Sequence, residues 1–176
     1  MKSTESSERF NTGREVLKSL EGEGVYVFHG SPDGGIPELE PRQGTHMPDD
    51  GDPDLLINDG DPAVSATPYA DVAIFRAIIN KRNIEFDHTS AFGMKGNLSK
   101  PSLFFTVSST KVLEEAKSKS GFVYVFNKSD FEKYDREGNL DGERIEWRSY
   151  KPVKPLMKVG VNFDDVADKE QIEIGL

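Results

Sequence analysis

Two short runs without a polar residue dominate the pattern: 25–28 and 122–126, each containing Val-Tyr-Val-Phe. Unbroken β-branched and aromatic runs of this length predict strands buried on both faces rather than half-buried strands, which would alternate. Before the first run, Val16, Leu17 and Leu20 recur at helical spacing and predict a short helix over 13–21, broken by Gly22 and Gly24. After it, Gly30, Pro32, Gly34 and Gly35 mark a turn-rich loop. Further on, Ala63-Val64-Ser65-Ala66 reads as a strand. Thr67-Pro68 follows as an N-cap and first helical position, opening a helix from Tyr69 to about Lys81. That helix is apolar nearly all round and should be buried. Short strands are expected at 83–87 and 102–107, a small helix at 110–118, a strand over 144–150, and a last strand over 157–161. The elements do not alternate as βαβ units, so the expected class is α+β.

Between these elements lies one long polar stretch, 40–62, rich in Pro, Gly and Asp, with Leu55-Leu56-Ile57 as its apolar hook. It reads as a long acidic loop inside a single domain spanning 13–163. A flexible N-terminal arm is expected over 1–12 and a loose acidic tail over 164–176. A further exposed loop is expected over 134–142. Two matching tetrapeptides do not make a repeat architecture.

Composition narrows the class. The 22 basic against 31 acidic residues give a net charge of −9, which argues against nonspecific nucleic-acid binding. The acidity is local: no Lys or Arg occurs between Arg42 and Arg76, whereas aspartates crowd that interval. The chain has no cysteine, which excludes disulfides, thiolate metal sites and a cysteine nucleophile. No apolar stretch is long enough for a membrane span, and the first residues lack the apolar core of a signal peptide. A cytoplasmic protein is the expectation. Asp50, Asp52 and Asp54 imitate the start of a calcium loop, but Leu55 stands where the required glycine would be, and no metal is expected. His29, His46 and His88 would meet around a metal only by tertiary accident. Glycines fit neither the dinucleotide fingerprint nor the Walker loop, and no GxSxG elbow is present.

Three features can carry chemistry. His29-Gly30-Ser31 ends a buried strand and offers an imidazole beside unobstructed backbone. Val64-Ser65-Ala66-Thr67-Pro68-Tyr69 runs a small-residue strand into a buried helix. Glu146 stands between Ile145 and Trp147, where a fixed carboxylate can stabilise a developing cation. Each has an ordinary structural reading: a strand-end histidine on a carbonyl, plain strand–helix packing, a solvent-facing strand residue. Glu143 and Glu146 are not read as a pair, because alternation would send them to opposite faces.

Taken in order, these features resemble the ADP-ribosyltransferase fold, most closely its diphtheria-toxin/PARP-like branch with a His-Tyr-Glu triad. The resemblance covers about 25–31, 63–79 and 143–150. It implies a split, bent antiparallel β core whose cleft binds NAD as a substrate. His29 would contact the adenosine ribose, Gly30 would hold the nicotinamide amide with Ser31 nearby, and Glu146 would stabilise an oxocarbenium-like transition state. Ser65, Thr67 and Tyr69 would lie at the cofactor. The chain departs from the pattern at the stacking tyrosine, for which Tyr69 is the nearest residue and Phe75 lies further along the helix. The arginine-specific branch fits worse, since it would place Arg at position 29 and Glu or Gln at position 144, where Arg144 stands. The implied activity is ADP-ribosyl transfer to a macromolecular acceptor, or NAD hydrolysis. The alternative is a noncatalytic interaction module with a degenerate cleft, acting through the 40–62 loop. RNA 2′-phosphotransfer ranks last, because Arg42, Arg76, Arg82 and Arg148 are scattered along the chain.

Overall fold

A computed structural model describes residues 12–46, 56–95, 102–134 and 145–175. In chain order its elements are α1 (Gly13–Glu23), β1 (Tyr26–Ser31), β2 (Thr45–His46), β3 (Ile57–Asn58), β4 (Val64–Ala66), α2 (Ala70–Ile78), β5 (Ser90–Lys95), β6 (Ser102–Val107), α3 (Thr110–Ala116), β7 (Ser120–Asn127), β8 (Glu132–Lys133), β9 (Trp147–Ser149), β10 (Met157–Asn162) and β11 (Glu173–Ile174), with single 3₁₀ turns between some of them. The class is α+β. No described helix is long and apolar enough to cross a membrane.

The two Val-Tyr-Val-Phe segments are neighbours. β1 and β7 pair antiparallel with Val27 opposite Phe126 and Phe28 opposite Val125, and β10 completes the sheet on the other side of β7. Both faces are covered at residues 27–28 and 123–126, which is why these residues do not alternate, whereas Val25, expected in the buried strand, precedes β1 and is exposed. Phe28, Val123 and Val125 pack under α2, whereas Val27, Tyr124 and Phe126 meet Leu39, Val64, Phe131 and Val153 on the opposite face. Glycines let α2 come close. A Cβ built at Gly30 would lie 2.7 Å from the Ala77 nitrogen and nearer still to the Ala73 oxygen. One at Gly121 would lie 2.9 Å from the Ala77 carbonyl carbon.

Several expectations are corrected. α1 runs on through Gly22 to Glu23, and only Gly24, left-handed at φ 71°, ends it. At its start Thr12 and Glu15 form a reciprocal capping box, so Thr12 belongs to the helix rather than to the expected arm. α2 begins at Ala70, and Thr67 does not cap it: the Thr67 hydroxyl accepts from the Tyr69 amide, while Glu21 of α1 accepts from the Ala70 amide at 2.6 Å. The helix stops at Ile78 rather than Lys81 because asparagines intercept its end. Asn83 donates to the Ala77 and Ile78 carbonyls, and Asn80 accepts from the amides of Arg82 and Asn83. The same turn displaces the strand expected at 83–87 to Ser90–Lys95. The strand expected over 144–150 is confined to Trp147–Ser149.

The acidic tail is docked. Asp165 accepts from the Arg14 and Asn162 amides, Val166, Ala167 and Ile172 are buried, and β11 pairs parallel with β6. Strand 157–161 is therefore not the last. The flanks of the 40–62 stretch are ordered against each other: Arg42 bridges Ala63, β2 pairs β3, and the Asp59 amide donates to the Gly44 carbonyl at 2.8 Å. Residues 47–55 within that stretch, and 135–144, which take in all but the first residue of the loop expected over 134–142, lie outside the described residues.

Candidate functional site

A cleft opens where two sheets separate. β4, β9 and β8 form an antiparallel sheet, joined to β1 by a single bridge in which Phe28 and Thr67 exchange amide–carbonyl hydrogen bonds of 2.7 and 2.9 Å. Beyond that bridge the strands splay, and His29 spans the gap through its ring: Nδ1 donates to the Ser65 carbonyl at 2.8 Å. The resulting cleft has a volume of about 540 Å³. Its walls carry His29 and Gly30 from β1, Ser65 and Ala66 from β4 with Thr67 just after it, Arg76 from α2, Phe92 and Phe104 from β5 and β6, and Glu146 just before β9.

Because a carbonyl can only accept, the His29 proton sits on Nδ1 and Nε2 is left as an acceptor in the neutral ring. Burial lowers the His29 pKa, opposed by the Ser65 hydrogen bond and reinforced by the positive charges of Arg76 and Arg42. The imidazole is therefore neutral at pH 7.

Glu146 is held through one oxygen. Its Oε1 accepts from the Ser65 hydroxyl at 2.8 Å and from Arg148 Nε at 2.7 Å, while among the described residues Oε2 accepts none. Arg148 is buried on β9 and committed in three directions. Besides Glu146, it donates to the Asp59 carbonyl at 2.6 Å and to the Asp59 carboxylate at 2.8 Å, and its guanidinium lies 3.3 Å from the centre of the Tyr134 ring. The Tyr134 hydroxyl in turn donates to Asp59 at 2.9 Å. Burial works against the charge of Arg148, but the bonds and charges of Glu146 and Asp59 outweigh it and raise its pKa. A planar guanidinium tied at both ends is a rigid mount for the carboxylate in front of it.

Of the residues singled out in the sequence, His29, Gly30, Ser65, Thr67 and Glu146 share this cleft. Ser31 and Tyr69 do not line it. The Ser31 hydroxyl is buried and accepts from the Asp33 amide, and Tyr69 stands at the N-terminus of α2 against the main core. Phe75 is a core residue, its ring 4.7 Å from that of Phe105. Rings that do border the cleft are Phe28, Phe92 and Phe104. No group of three metal-ligating side chains occurs among the described residues. Asp50, Asp52, Asp54, Glu143 and Arg144 lie outside them.

Sequence reasoning missed Arg76 and the structural part played by Arg148. The arginines read as scattered separate into distinct roles: Arg42 and Arg76 both act on the charge of His29, whereas Arg148 mounts Glu146. A signal existed for Arg76, since it interrupts a helix that is otherwise almost wholly apolar. Comparison with protein-family models, with curated proteins and with solved structures finds no match for this chain.

Proposed function

We propose that the cleft binds NAD and cleaves its nicotinamide–ribose bond, passing ADP-ribose to a macromolecular acceptor or to water, on a fold of the ADP-ribosyltransferase kind. The observation that carries this reading is convergence. His29-Gly30 and Glu146 are distant in sequence, yet border one cleft at a sheet split, and Ser65 binds the carboxylate from the facing strand.

The chemistry suits these groups. The bond between the nicotinamide nitrogen and ribose C1′ breaks, its electron pair leaves with nicotinamide, and positive charge develops on the ribose. A carboxylate fixed before the reaction offsets that charge without reorganising. Oε1 of Glu146 is already taken by Ser65 and Arg148, so Oε2 is the oxygen available to the sugar. The acceptor, or water, then bonds to C1′ and gives up its proton. A neutral His29 with Nε2 as acceptor suits a ribose hydroxyl donor.

The test is calorimetric titration of NAD into the full chain, with nicotinamide release measured in parallel. Glu146→Gln keeps an oxygen for Ser65 and Arg148 but loses the charge. It should retain binding and lose about 10²–10³ in turnover, the usual effect of removing one electrostatic stabiliser. His29→Ala should weaken binding. Absence of NAD binding at millimolar concentration, or unchanged turnover in folded Glu146→Gln, overturns the proposal.

A further inference from the structure

The charged groups on the cleft walls are unequally satisfied. Glu146 is neutralised by Arg148 behind it. Arg76 has no such partner: among the described residues its guanidinium makes no hydrogen bond and no ion pair, and the centre of the Phe92 ring lies 5.8 Å from its Cζ. Arg14 and the buried Arg148, by contrast, are committed to carboxylates, Arg14 to Asp71 and Arg148 to Asp59 and Glu146. Arg76 is exposed to the cleft, where partial desolvation lowers its pKa and the charge of Glu146 opposes the shift. An arginine remains charged under these conditions. A guanidinium that is open to a concave wall, with no protein acceptor among the described residues, can take an anionic ligand there. A chain of net charge −9 thus places in this cleft a cation without a carboxylate partner among the described residues.

From this we infer that the cleft receives a phosphate-bearing ligand, with the phosphate oxygens on the guanidinium of Arg76. A guanidinium presents donors in a fork that matches two phosphate oxygens. The Phe92 face beside it fits a guanidinium already oriented by an aromatic ring. The inference goes beyond the glycosidic chemistry above, since it needs only a phosphate group in the cleft and holds for a ligand other than NAD.

Inorganic pyrophosphate is the direct probe. In ¹H–¹⁵N spectra of the full chain, the Arg76 Nε–H cross-peak, identified by its loss in Arg76→Gln, should shift saturably at millimolar pyrophosphate. The Gly30 and Gly93 amides should move with it. Arg76→Gln should weaken this binding at least tenfold and Arg76→Lys, which keeps the charge without the fork, by less; both should retain the wild-type dispersion of amide shifts. If glutamine disturbs the fold, the lysine variant and the wild-type Arg76 shift carry the test. Unsaturable shifts spread over surface lysines, or wild-type affinity in folded Arg76→Gln, overturn the inference. NAD binding that requires His29 but not Arg76 refutes this inference and leaves the proposed function standing. Arg76-dependent pyrophosphate binding without NAD binding does the reverse.

Discussion

Gly30 has two explanations, one as bare backbone for a ligand and one as the contact that lets α2 lie on β1, and they predict different things. A methyl group at position 30 would point into the backbone of α2, 2.7 Å from the Ala77 nitrogen and 3.0 Å from the Ala73 carbonyl carbon. Both are backbone atoms, so no rotamer change relieves them. β1 and α2 must separate by several tenths of an ångström or more, along a contact that buries Phe28, Ala73 and Ala77 completely or nearly so. Overpacking costs about 1–3 kcal/mol where side chains can yield, and here the cost should be at the upper end or above, about 3 kcal/mol. With an m-value of about 2 kcal/mol/M, Gly30→Ala should lower the urea midpoint by about 1.5 M. Gly22 is the internal control. It is exposed within α1, and a Cβ there meets nothing within 4 Å. Gly22→Ala should therefore stabilise by about 0.5–1 kcal/mol, raising the midpoint by about 0.3–0.5 M. The reasoning fails if Gly30→Ala unfolds within about 0.3 M of wild type. A glycine kept only for ligand approach would give that result, with loss of binding and no loss of stability.

Two further outcomes follow from the site and its supports. The His29 ring should titrate below 6.5 by NMR, because burial and two arginines disfavour its charged form. The unfolded chain then binds the proton more readily, so stability falls as pH drops from about 6.5 through the folded midpoint. His29→Asn should flatten that segment of the pH profile, and a midpoint at or above 6.5 would contradict the assignment. Glu21 caps α2 from outside the helix, so Glu21→Ala should cost about 1 kcal/mol, whereas Glu21→Gln, which keeps an acceptor oxygen, should retain most of the cap. Equal losses in a denaturation series would show that the hydrogen bond is not the cause.

The α+β class and the buried strands were legible because their signals are local. A double-faced strand must be apolar throughout, and residues 27–28 of β1 and 122–126 of β7 are. What escaped depends on contacts between distant residues. The Thr67-Pro68 sequence looks like a helix start, but the cap of α2 comes from Glu21, on another helix. Asn80 and Asn83 resemble ordinary turn residues, and only their bonds to the helix carbonyls explain why α2 ends at Ile78. The tail looks loose by charge, yet Asp165 is stabilised by the amide of Arg14, at the start of α1. None of these pairings leaves a periodic trace.

The candidate site was legible through its strand ends, and its least legible member lies on the helix. His29 and Glu146 stand beside apolar strands, where a polar residue is conspicuous. Arg76 stands in a helix whose apolar residues predicted burial on every side, and it is the one exposed residue of that helix, whereas Asp71 is buried. Asp71 and Arg76 are five residues apart, which places them about 140° apart around the axis. Asp71 meets Arg14 of α1 at 2.7 Å, so its direction is accounted for by a neighbouring helix. Arg76 points into the cleft, where among the described residues it meets the Phe92 ring but no carboxylate partner. A charge on a nearly apolar helix thus needs either a partner or an opening, and once Asp71 has claimed the partner, Arg76 identifies the opening.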